Sequence, residues 1–237
     1  MSEDYGIKPG YAANTVLLTP DESSGTHYWT EARLRASRYF QFAVYAYAGR
    51  VARRRKLESL LDVGCGSGAK LAYLHRRVPE LDIRGVDQAH AIDLCRATHD
   101  FGTWHVDDFE DPAKNGPAPA QLVLSSDVIE HLADPDRLLE YVRAKVLPGG
   151  YVILSTPERD RLRGVDCNRC PNPYHVREWS FREFEGYLES RGFRVLEHEL
   201  QLPVRIGAHG TFYREVVRRW LRGERARTNQ VCLLQPQ

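Results

Sequence analysis

The chain has 237 residues, of which 42% are hydrophobic and 27% are charged, an ordinary globular composition with enough length to bury a sizeable core. Its net charge of +1 creates no overall electrostatic attraction to nucleic acid or to an anionic membrane. No apolar run predicts a transmembrane helix, and residues 1–10 contain no apolar signal segment. The five cysteines fall mostly in apolar segments, as is typical of a reduced cytoplasmic protein.

The predicted elements alternate between strands and helices along most of the chain. Residues 1–25 are expected to form an irregular arm, and residues 30–55 one or two helices. The predicted strands are 57–63, 82–87, 103–106, 121–125 and 151–155, and the helices between them are 69–78, 89–98 and 135–146. Such alternation predicts βαβ units with right-handed crossovers, and therefore a doubly wound, mostly parallel sheet.

The last third of the chain departs from this alternation. A polar loop at 157–173 leads to a helix at 180–191, where Ser180 and Glu183 have the spacing of a capping box. Later elements are predicted at 193–200 (strand), 211–222 (helix) and 230–234 (strand). The two late strands favour an antiparallel pair at the sheet edge. The expected fold is therefore α/β, Rossmann-like, with seven mostly parallel strands and an antiparallel edge strand.

A glycine-rich turn between the first strand and its helix carries the main chemical signal. The segment reads Asp62-Val63-Gly64-Cys65-Gly66-Ser67-Gly68. Glycines let the backbone approach a ligand closely, and the following helix offers free N–H donors. Asp87 ends the next strand, where an acid can accept both ribose hydroxyls of an adenosine. This much also fits an NAD(P)-dependent oxidoreductase, because the turn matches G-x-G-x-x-A.

Three later segments narrow the choice. Asp107, Asp108 and Phe109 follow the third strand, where an acid next to an apolar residue can hold an adenine. Ser125-Ser126-Asp127-Val128-Ile129-Glu130-His131-Leu132 runs on from the fourth strand, and 147–157 reads L-P-G-G-Y-V-I-L-S-T-P. The ordered set of segments resembles class I S-adenosylmethionine (SAM)-dependent methyltransferases over about residues 57–200. The nearest branch contains ubiquinone-type and natural-product O-methyltransferases.

The resemblance implies SAM as cofactor, S-adenosylhomocysteine (SAH) as its product, and a role for each matching residue. The methionyl and ribose parts would be lined by Asp62, Gly64, Gly66 and Gly68, with Asp87 on the ribose. Asp108 and Phe109 would hold the adenine, and Ser125 and Ser126 would lie beside the sulfonium. Asp107 stands where the family often has glycine, so either acid is a candidate for the adenine. Cys65, within the glycine turn, and Gln88, next to Asp87, complete the predicted cofactor-binding set.

Two histidines are the candidate catalytic residues. His175 opens the segment H-V-R-E-W, which in related methyltransferases follows the fifth strand and borders the acceptor pocket. A neutral imidazole there can act as a general base, and His131 is the second candidate. An alternative is that the segment only caps a helix and pairs Arg177 with an acid.

Metal binding is a further alternative and is not our preferred expectation. Asp127, Glu130 and His131 have helical spacing, and His175 could supply a later ligand for a divalent ion. Cys167-x-x-Cys170 lacks a second pair of suitable spacing and is expected to be two free thiols.

The expected protein is a cytoplasmic bacterial enzyme that methylates a hydroxyl of a small molecule in specialised or cell-surface metabolism. We expect residues 1–55 to form an arm and helical lid, and 56–237 the SAM-binding domain, with acceptor-site insertions at 157–179 and 203–228. We expect a monomer or homodimer without nucleic-acid or membrane partners. The arginines at 214, 218, 219, 222, 225 and 227 keep an RNA methyltransferase open as an alternative. A binding module that has lost catalysis is disfavoured by the intact glycine turn.

Overall fold

Seven strands form a single sheet at the centre of the molecule. The computed structural model describes residues 5–14, 40–108, 111–112, 116–204, 217, 221 and 226–237. The strands are β1 (Ser59–Val63), β2 (Asp82–Asp87), β3 (Thr103–Val106), β4 (Ala120–Ser126), β5 (Val146–Pro157), β6 (Phe193–Gln201) and β7 (Asn229–Pro236). Their order across the sheet is β3-β2-β1-β4-β5-β7-β6.

The direction of the strands confirms the predicted fold. Strands β1 to β5 run parallel to one another, whereas β7 is antiparallel to both β5 and β6. The antiparallel pair therefore lies at the edge, with β6 outermost and β7 one position further in. The strand order reverses between β1 and β4, and ligands of doubly wound sheets bind at such a reversal.

Helices cover both faces of the sheet. They are α1 (Phe42–Arg55), α2 (Ala69–Arg77), α3 (Ala89–Thr98), α4 (Pro135–Lys145), α5 (Arg159–Arg163) and α6 (Phe181–Ser190), with a 3-10 turn at Ile129–His131. Consecutive residues of a strand point to opposite faces. Leu60 accordingly packs in the cluster under α1 to α3, and Leu61 in the cluster under α4 and α6. Buried apolar residues on both faces explain the continuous apolar runs of the parallel strands.

Two local predictions differ from the structure. The strand predicted at 151–155 begins at Val146, because Ala120 pairs with Val146 while Leu122 pairs with Tyr151. Residues 147–150 therefore lie within β5, where they interrupt its regular pairing with β4.

The polar loop predicted after Pro157 contains the short helix α5, which Glu158 caps by accepting the backbone N–H groups of Asp160 and Arg161. The capping box of α6 is confirmed, since Ser180 N–H donates to Glu183 Oε2 at 2.8 Å.

A short N-terminal segment, residues 5–14, packs against the region between β5 and β6. Tyr5 accepts a hydrogen bond from the Trp179 indole at its backbone oxygen, and Lys8 N–H donates to Glu183. The helix predicted at 211–222 lies almost entirely outside the described residues. Residues 1–4 and 15–39 of the predicted arm and lid lie outside them as well. Within the described part of the chain, no helix combines the length and apolarity needed to cross a membrane.

Candidate active site

The candidate site lies at the edge where the parallel strands end. The glycine turn follows β1, Asp87 ends β2, Asp107 follows β3, Ser126 ends β4 and the segment that leads to His175 follows β5. Carboxyl ends of parallel strands meet at one edge of a sheet, and ligands of open α/β folds bind there. The sheet topology therefore brings the predicted residues of this edge to one side of the molecule.

The glycine turn needs glycine for two physical reasons. Gly64, Gly66 and Gly68 have φ angles of +83°, +57° and +69°, which side-chain-bearing residues adopt at a cost. A Cβ on Gly64 would also lie 2.5 Å from Cγ2 of Val128, and one on Gly68 would lie 2.8 Å from the His99 ring. The turn is thus fixed against its neighbours, with helix α2 beginning at its end.

Asp87 joins the glycine turn to the next helix. Its Oδ2 accepts the Gly66 N–H and its Oδ1 accepts the Gln88 N–H, both at 2.8 Å. Burial raises the pKa of Asp87, and the two backbone hydrogen bonds oppose that rise. Each carboxylate oxygen keeps a second lone pair, so Asp87 can still accept hydroxyl donors from a ligand.

Asp62 and Ser125 carry buried polar atoms that have no hydrogen-bond partner among the described residues. Asp62 is fully buried, and its Oδ2 accepts the Tyr45 hydroxyl at 2.7 Å, whereas no described residue donates to Oδ1. Burial raises the pKa of Asp62 to about 7, although the Tyr45 hydrogen bond lowers it. The Ser125 hydroxyl, on the neighbouring strand, has no partner in the described part of the chain either. Unmet buried polar groups cost stability, so these two fit a site that a polar ligand completes.

The structure separates the two acids that follow β3. Asp107 is buried, and its carboxylate accepts the Tyr141 hydroxyl at 2.7 Å and the Asp108 N–H at 3.0 Å. Asp107 therefore ties the strand end to α4, a structural role that its predicted place in the cofactor set did not anticipate. Asp108 is exposed beside it. Phe109 lies outside the described residues.

Cys65 was expected among the cofactor-binding residues, but its side chain lies in the core. The residue is 3% exposed and packs with Leu71, Ile92 and Cys95 beneath the turn. Burial raises the pKa of its thiol well above the ordinary range. Only the backbone of Cys65 is thus left to contribute to a ligand site, and its N–H already donates to Val86 O at 3.2 Å.

Asp127 does not join the other candidate metal ligands, which corrects one part of the metal alternative. Its backbone has φ +54°, in the left-handed region. Its Oδ2 accepts the Gln41 amide at 2.9 Å, and its Oδ1 accepts the Ser155 hydroxyl at 2.6 Å and the Asn229 amide at 3.2 Å. The Ser126 hydroxyl lies 3.0 Å from that of Ser155. The helical spacing assumed for Asp127 fails because a turn, rather than a continuous helix, follows β4.

His175 is held by a buried carboxylate. Its Nδ1 lies 2.6 Å from Glu178 Oε1, and Arg163 donates to both Glu178 oxygens at 3.0 and 3.1 Å. Burial raises the pKa of Glu178, but the hydrogen bonds from His175 and Arg163 outweigh it and lower this pKa to about 2. Because a carboxylate only accepts, Nδ1 carries the proton, which leaves Nε2 of a neutral ring as the acceptor.

His131 is oriented in a similar way. Its Nδ1 lies 2.8 Å from the Tyr174 carbonyl oxygen, so this nitrogen donates and Nε2 faces Glu130 Oε1 at 4.0 Å. The His131 and His175 rings are 4.8 Å apart and nearly perpendicular. The sequence alone did not show that the two histidines, 44 positions apart, are neighbours.

Three of the four candidate metal ligands do come together. Ligand atoms of Glu130, His131 and His175 lie within 4.8 Å of one another. Histidines that bind metals usually donate their other ring N–H to a carbonyl or carboxylate, as both rings do here. Glu130 is 1% exposed, and burial together with the Asp127 charge raises its pKa well above the ordinary value. A divalent cation there would favour the ionised form of Glu130.

Several residues that shape the site gave no clear signal in the sequence. Tyr45 contacts Asp62 from 17 positions away, and Gln41 and Asn229 contact Asp127 from 86 and 102 positions away. Glu178 had a local signal, because it lies three residues after His175, but it was not singled out. Arg177 donates to the backbone oxygens of Leu132 and Ala133 and lies over the Tyr5 ring.

Comparison with known proteins gives the chain a family. A family model described as a methyltransferase domain matches residues 28–198. A Mycolicibacterium smegmatis protein named "Probable S-adenosylmethionine-dependent methyltransferase" is 32% identical over 62% of this chain and 56% of its own length. A ubiquinone biosynthesis O-methyltransferase of Caulobacter sp. is 28% identical over 69% of this chain and 66% of its own length. The chain thus spans between half and two thirds of these relatives.

Solved structures support the fold alone, because their sequence identities are low. The plantazolicin methyltransferase BpumL in complex with SAH has a TM-score of 0.61 at 15% identity, covering 92% of this chain and 91% of that one. A putative methyltransferase of Haloferax volcanii, solved with the activator Trm112, has a TM-score of 0.60 at 18% identity, covering 83% and 98%.

Proposed function

Because the chain belongs to the class I SAM-dependent methyltransferases, we propose that it transfers a methyl group from SAM to a hydroxyl oxygen of a small-molecule acceptor. The choice of a hydroxyl acceptor is supported by the contact between His175 Nδ1 and Glu178 Oε1, which are 2.6 Å apart. An alcohol or phenol must lose a proton as it is methylated, whereas SAM needs no base of its own.

The residues at the strand ends suit the cofactor. Asp87 would hold the ribose, the backbone of the glycine turn and the unmet Asp62 Oδ1 and Ser125 hydroxyl would meet the methionyl part, and Asp108 would meet the adenine. Gln88, which follows β2, and Ser126, which ends β4, would line the same edge. When bound, SAM supplies an electrophilic methyl group on a positively charged sulfur.

His175 would take the acceptor proton at Nε2. Glu178 fixes the tautomer by accepting the Nδ1 proton, and it stabilises the imidazolium that forms. Arg163 keeps Glu178 ionised through two hydrogen bonds. His131, whose ring lies 4.8 Å from that of His175, would border the acceptor and is the second candidate base.

A metal-assisted variant of the same reaction is the second candidate. The observation that favours it is the convergence of Glu130, His131 and His175 around one point. A divalent cation there would lower the pKa of an acceptor hydroxyl and orient it. In that case His175 and His131 would be ligands rather than bases.

The proposal also includes the segments around the acceptor, the localisation and the oligomeric state that the sequence predicts. We propose that residues 1–55 cover the acceptor, that 157–179 and 203–228 border it, and that the enzyme is cytoplasmic and acts as a monomer or homodimer. The bacterial relatives support a bacterial enzyme. The family membership argues against an NAD(P)-dependent oxidoreductase. An RNA acceptor remains the alternative, and most of the arginines that suggested it lie outside the described residues.

The test combines cofactor binding with a His175→Ala variant. Calorimetry should show binding of SAH and none of NAD. With labelled SAM and a panel of phenols and alcohols, His175→Ala should lower turnover by about 10²–10⁴-fold with little change in SAH affinity. His105→Ala, on β3, is the matched histidine control and should keep its activity. Normal turnover in His175→Ala would move the base to His131, and inhibition of the parent enzyme by EDTA would favour the metal.

A further inference from the structure

Two buried amides face each other where the antiparallel strands meet the candidate site. Gln201 ends β6 and Asn229 begins β7, and the two are direct cross-strand partners. Such partners project from the same face of a sheet with their Cβ atoms close together. Asn229 also pairs with Pro157, at the carboxyl end of β5. The amide pair therefore lies at the same sheet edge as the glycine turn.

The orientation of both amides is fixed by carboxylates. Asn229 Nδ2 donates to Asp127 Oδ1 at 3.2 Å, and Gln201 Nε2 donates to Glu199 Oε1 at 2.6 Å. Because a carboxylate cannot donate, the amide nitrogens must face these acids and the amide oxygens must face away. Among the described residues, Asn229 Oδ1 and Gln201 Oε1 are fully buried and accept no hydrogen bond.

Two unmet acceptors side by side require an explanation. The side chains of Gln201 and Asn229 belong to residues that are 7% and 1% exposed. Leaving a buried acceptor unsatisfied costs stability, and native proteins keep few such groups. The groups that orient them, Asp127 and Glu199, are acidic, while Arg50 lies 4.0 Å from Glu199, and Lys70 contacts Gln41, which donates to Asp127. The two unmet amide oxygens can only accept hydrogen bonds, so they complement a hydrogen-bond donor such as an ammonium group and offer nothing to a carboxylate or a phosphate.

We propose that Gln201 and Asn229 form a subsite for a protonated amino group of the methyl acceptor. The inference rests on the proposed function and adds a chemical class to it, an acceptor with an amine as well as a hydroxyl. Asp127 connects the subsite to Ser126 at the end of β4, through Ser155. The amine would thereby be anchored beside the strand end that is expected to meet the sulfonium.

The experiment compares matched phenols on the SAH-loaded protein. Tyramine, 4-ethylphenol and 3-(4-hydroxyphenyl)propanoate share a phenol and differ in carrying an ammonium, no charge or a carboxylate. Ligand-observed NMR titration should show tyramine binding about tenfold or more tightly than the other two, the scale of hydrogen bonds to a charged group. Equal affinities, or no measurable tyramine binding, would overturn the proposal.

Variants assign the preference to the amide pair. Gln201→Met and Asn229→Leu keep similar volume but remove the amide oxygens, and each should abolish the preference for tyramine. Gln230→Met is the matched control, because the Gln230 amide already donates to Trp179 O at 3.0 Å and faces His198 Nε2 at 3.1 Å. It should lower the melting temperature and keep the preference. A preference that survives in either Gln201→Met or Asn229→Leu would contradict the proposal.

SAH calorimetry on the same preparations distinguishes this inference from the proposed function. Unchanged SAH affinity in Gln201→Met and Asn229→Leu is the expected result. Weaker SAH binding in these variants would assign the amides to the cofactor and overturn the acceptor subsite. No SAH binding by the parent protein would overturn the proposed function itself, and with it the inference.

Discussion

At the scale of single residues, carboxylates with internal partners determine how the site is arranged. Asp87, Asp107 and Asp127 each accept two or more hydrogen bonds from the protein, yet they differ in what remains available. Asp107 is buried against Tyr141, whereas Asp87 binds only backbone N–H groups and keeps lone pairs for a ligand. A residue's chemical type alone therefore does not determine its role.

Asp87→Ala should weaken SAH binding by about 1.5–3 kcal/mol, the scale of a hydrogen bond to a charged group. The variant loses the ribose acceptor and also the hydrogen bond that holds the Gly66 N–H. Calorimetry measures the change. Asp82→Ala, at the exposed start of the same strand, is the control and should bind SAH normally. An unchanged dissociation constant in folded Asp87→Ala would remove Asp87 from the cofactor site.

His198 should make the protein less stable in acid. Its ring stacks on Phe181, and burial lowers its pKa from the ordinary 6.5 to about 4. The unfolded chain binds this proton near pH 6.5 and the folded chain only near pH 4. The free energy of unfolding should thus fall as the pH drops from 6.5 to 4, by on the order of 1–3 kcal/mol, and this contribution should level off below pH 4.

The measurement is urea unfolding of the parent protein and His198→Phe across this pH range. The variant keeps an aromatic ring against Phe181 but cannot titrate, so its unfolding free energy should decline less steeply between pH 6.5 and 4. Parallel pH profiles for the two proteins would show that His198 does not titrate as inferred.

At the scale of elements, the N-terminal segment 5–14 holds the loop that carries His175. The Asn14 side-chain amide donates toward the backbone oxygens of Cys170, Asn172 and His175 at 2.9–3.0 Å. Tyr11 accepts the Glu178 N–H at its hydroxyl, at 3.1 Å. Both ends of the His175–Glu178 pair are thus fixed by a segment more than 150 positions earlier in the chain.

Asn14→Leu should therefore reduce turnover by about tenfold or more while SAH affinity stays unchanged, because small misplacements of a catalytic group are costly. It should also lower stability by about 1–3 kcal/mol by leaving buried carbonyls unmet. Lys8→Met is the control from the same segment, since it loses only an exposed hydrogen bond to Val165 O. Equal turnover in Asn14→Leu and Lys8→Met would show that the segment does not position His175.

The elements that could be predicted are those whose signals are local. The glycine turn and the capping box at Ser180 and Glu183 each lie within a few residues, so the sequence shows them directly. Asp87 is 21 positions from its partner Gly66, but its place at the end of a predicted strand marks it. The hydrogen bond from Tyr45 to Asp62 could not be predicted, because it depends on how α1 packs against the sheet. Asp127 was misplaced for a similar reason, since its partners come from β5, β7 and the residue before α1.

At the scale of the whole molecule, cofactor binding should be linked to folding. A ligand that binds only the folded state at 100 times its dissociation constant adds about 2.7 kcal/mol. For a domain of this size, SAH should then raise the melting temperature by about 5–10 °C, and the same concentration of NAD should not. Differential scanning fluorimetry checks this, with Asp87→Ala as a comparison that should show a smaller rise. An equal rise with both nucleotides would argue against a specific SAM site.

The position of β7 inside the sheet has a consequence for the order of assembly during synthesis. Among the described strands β6 pairs with β7 alone, and β7 follows it after about 27 residues. A ribosome that adds roughly 5–20 residues per second needs on the order of seconds to produce this interval. During that time β6 and the outer edge of β5 are both unpaired on a nascent chain whose parallel half is already complete. Insertion of β7 pairs both strands at once, and it brings Asn229 to Asp127.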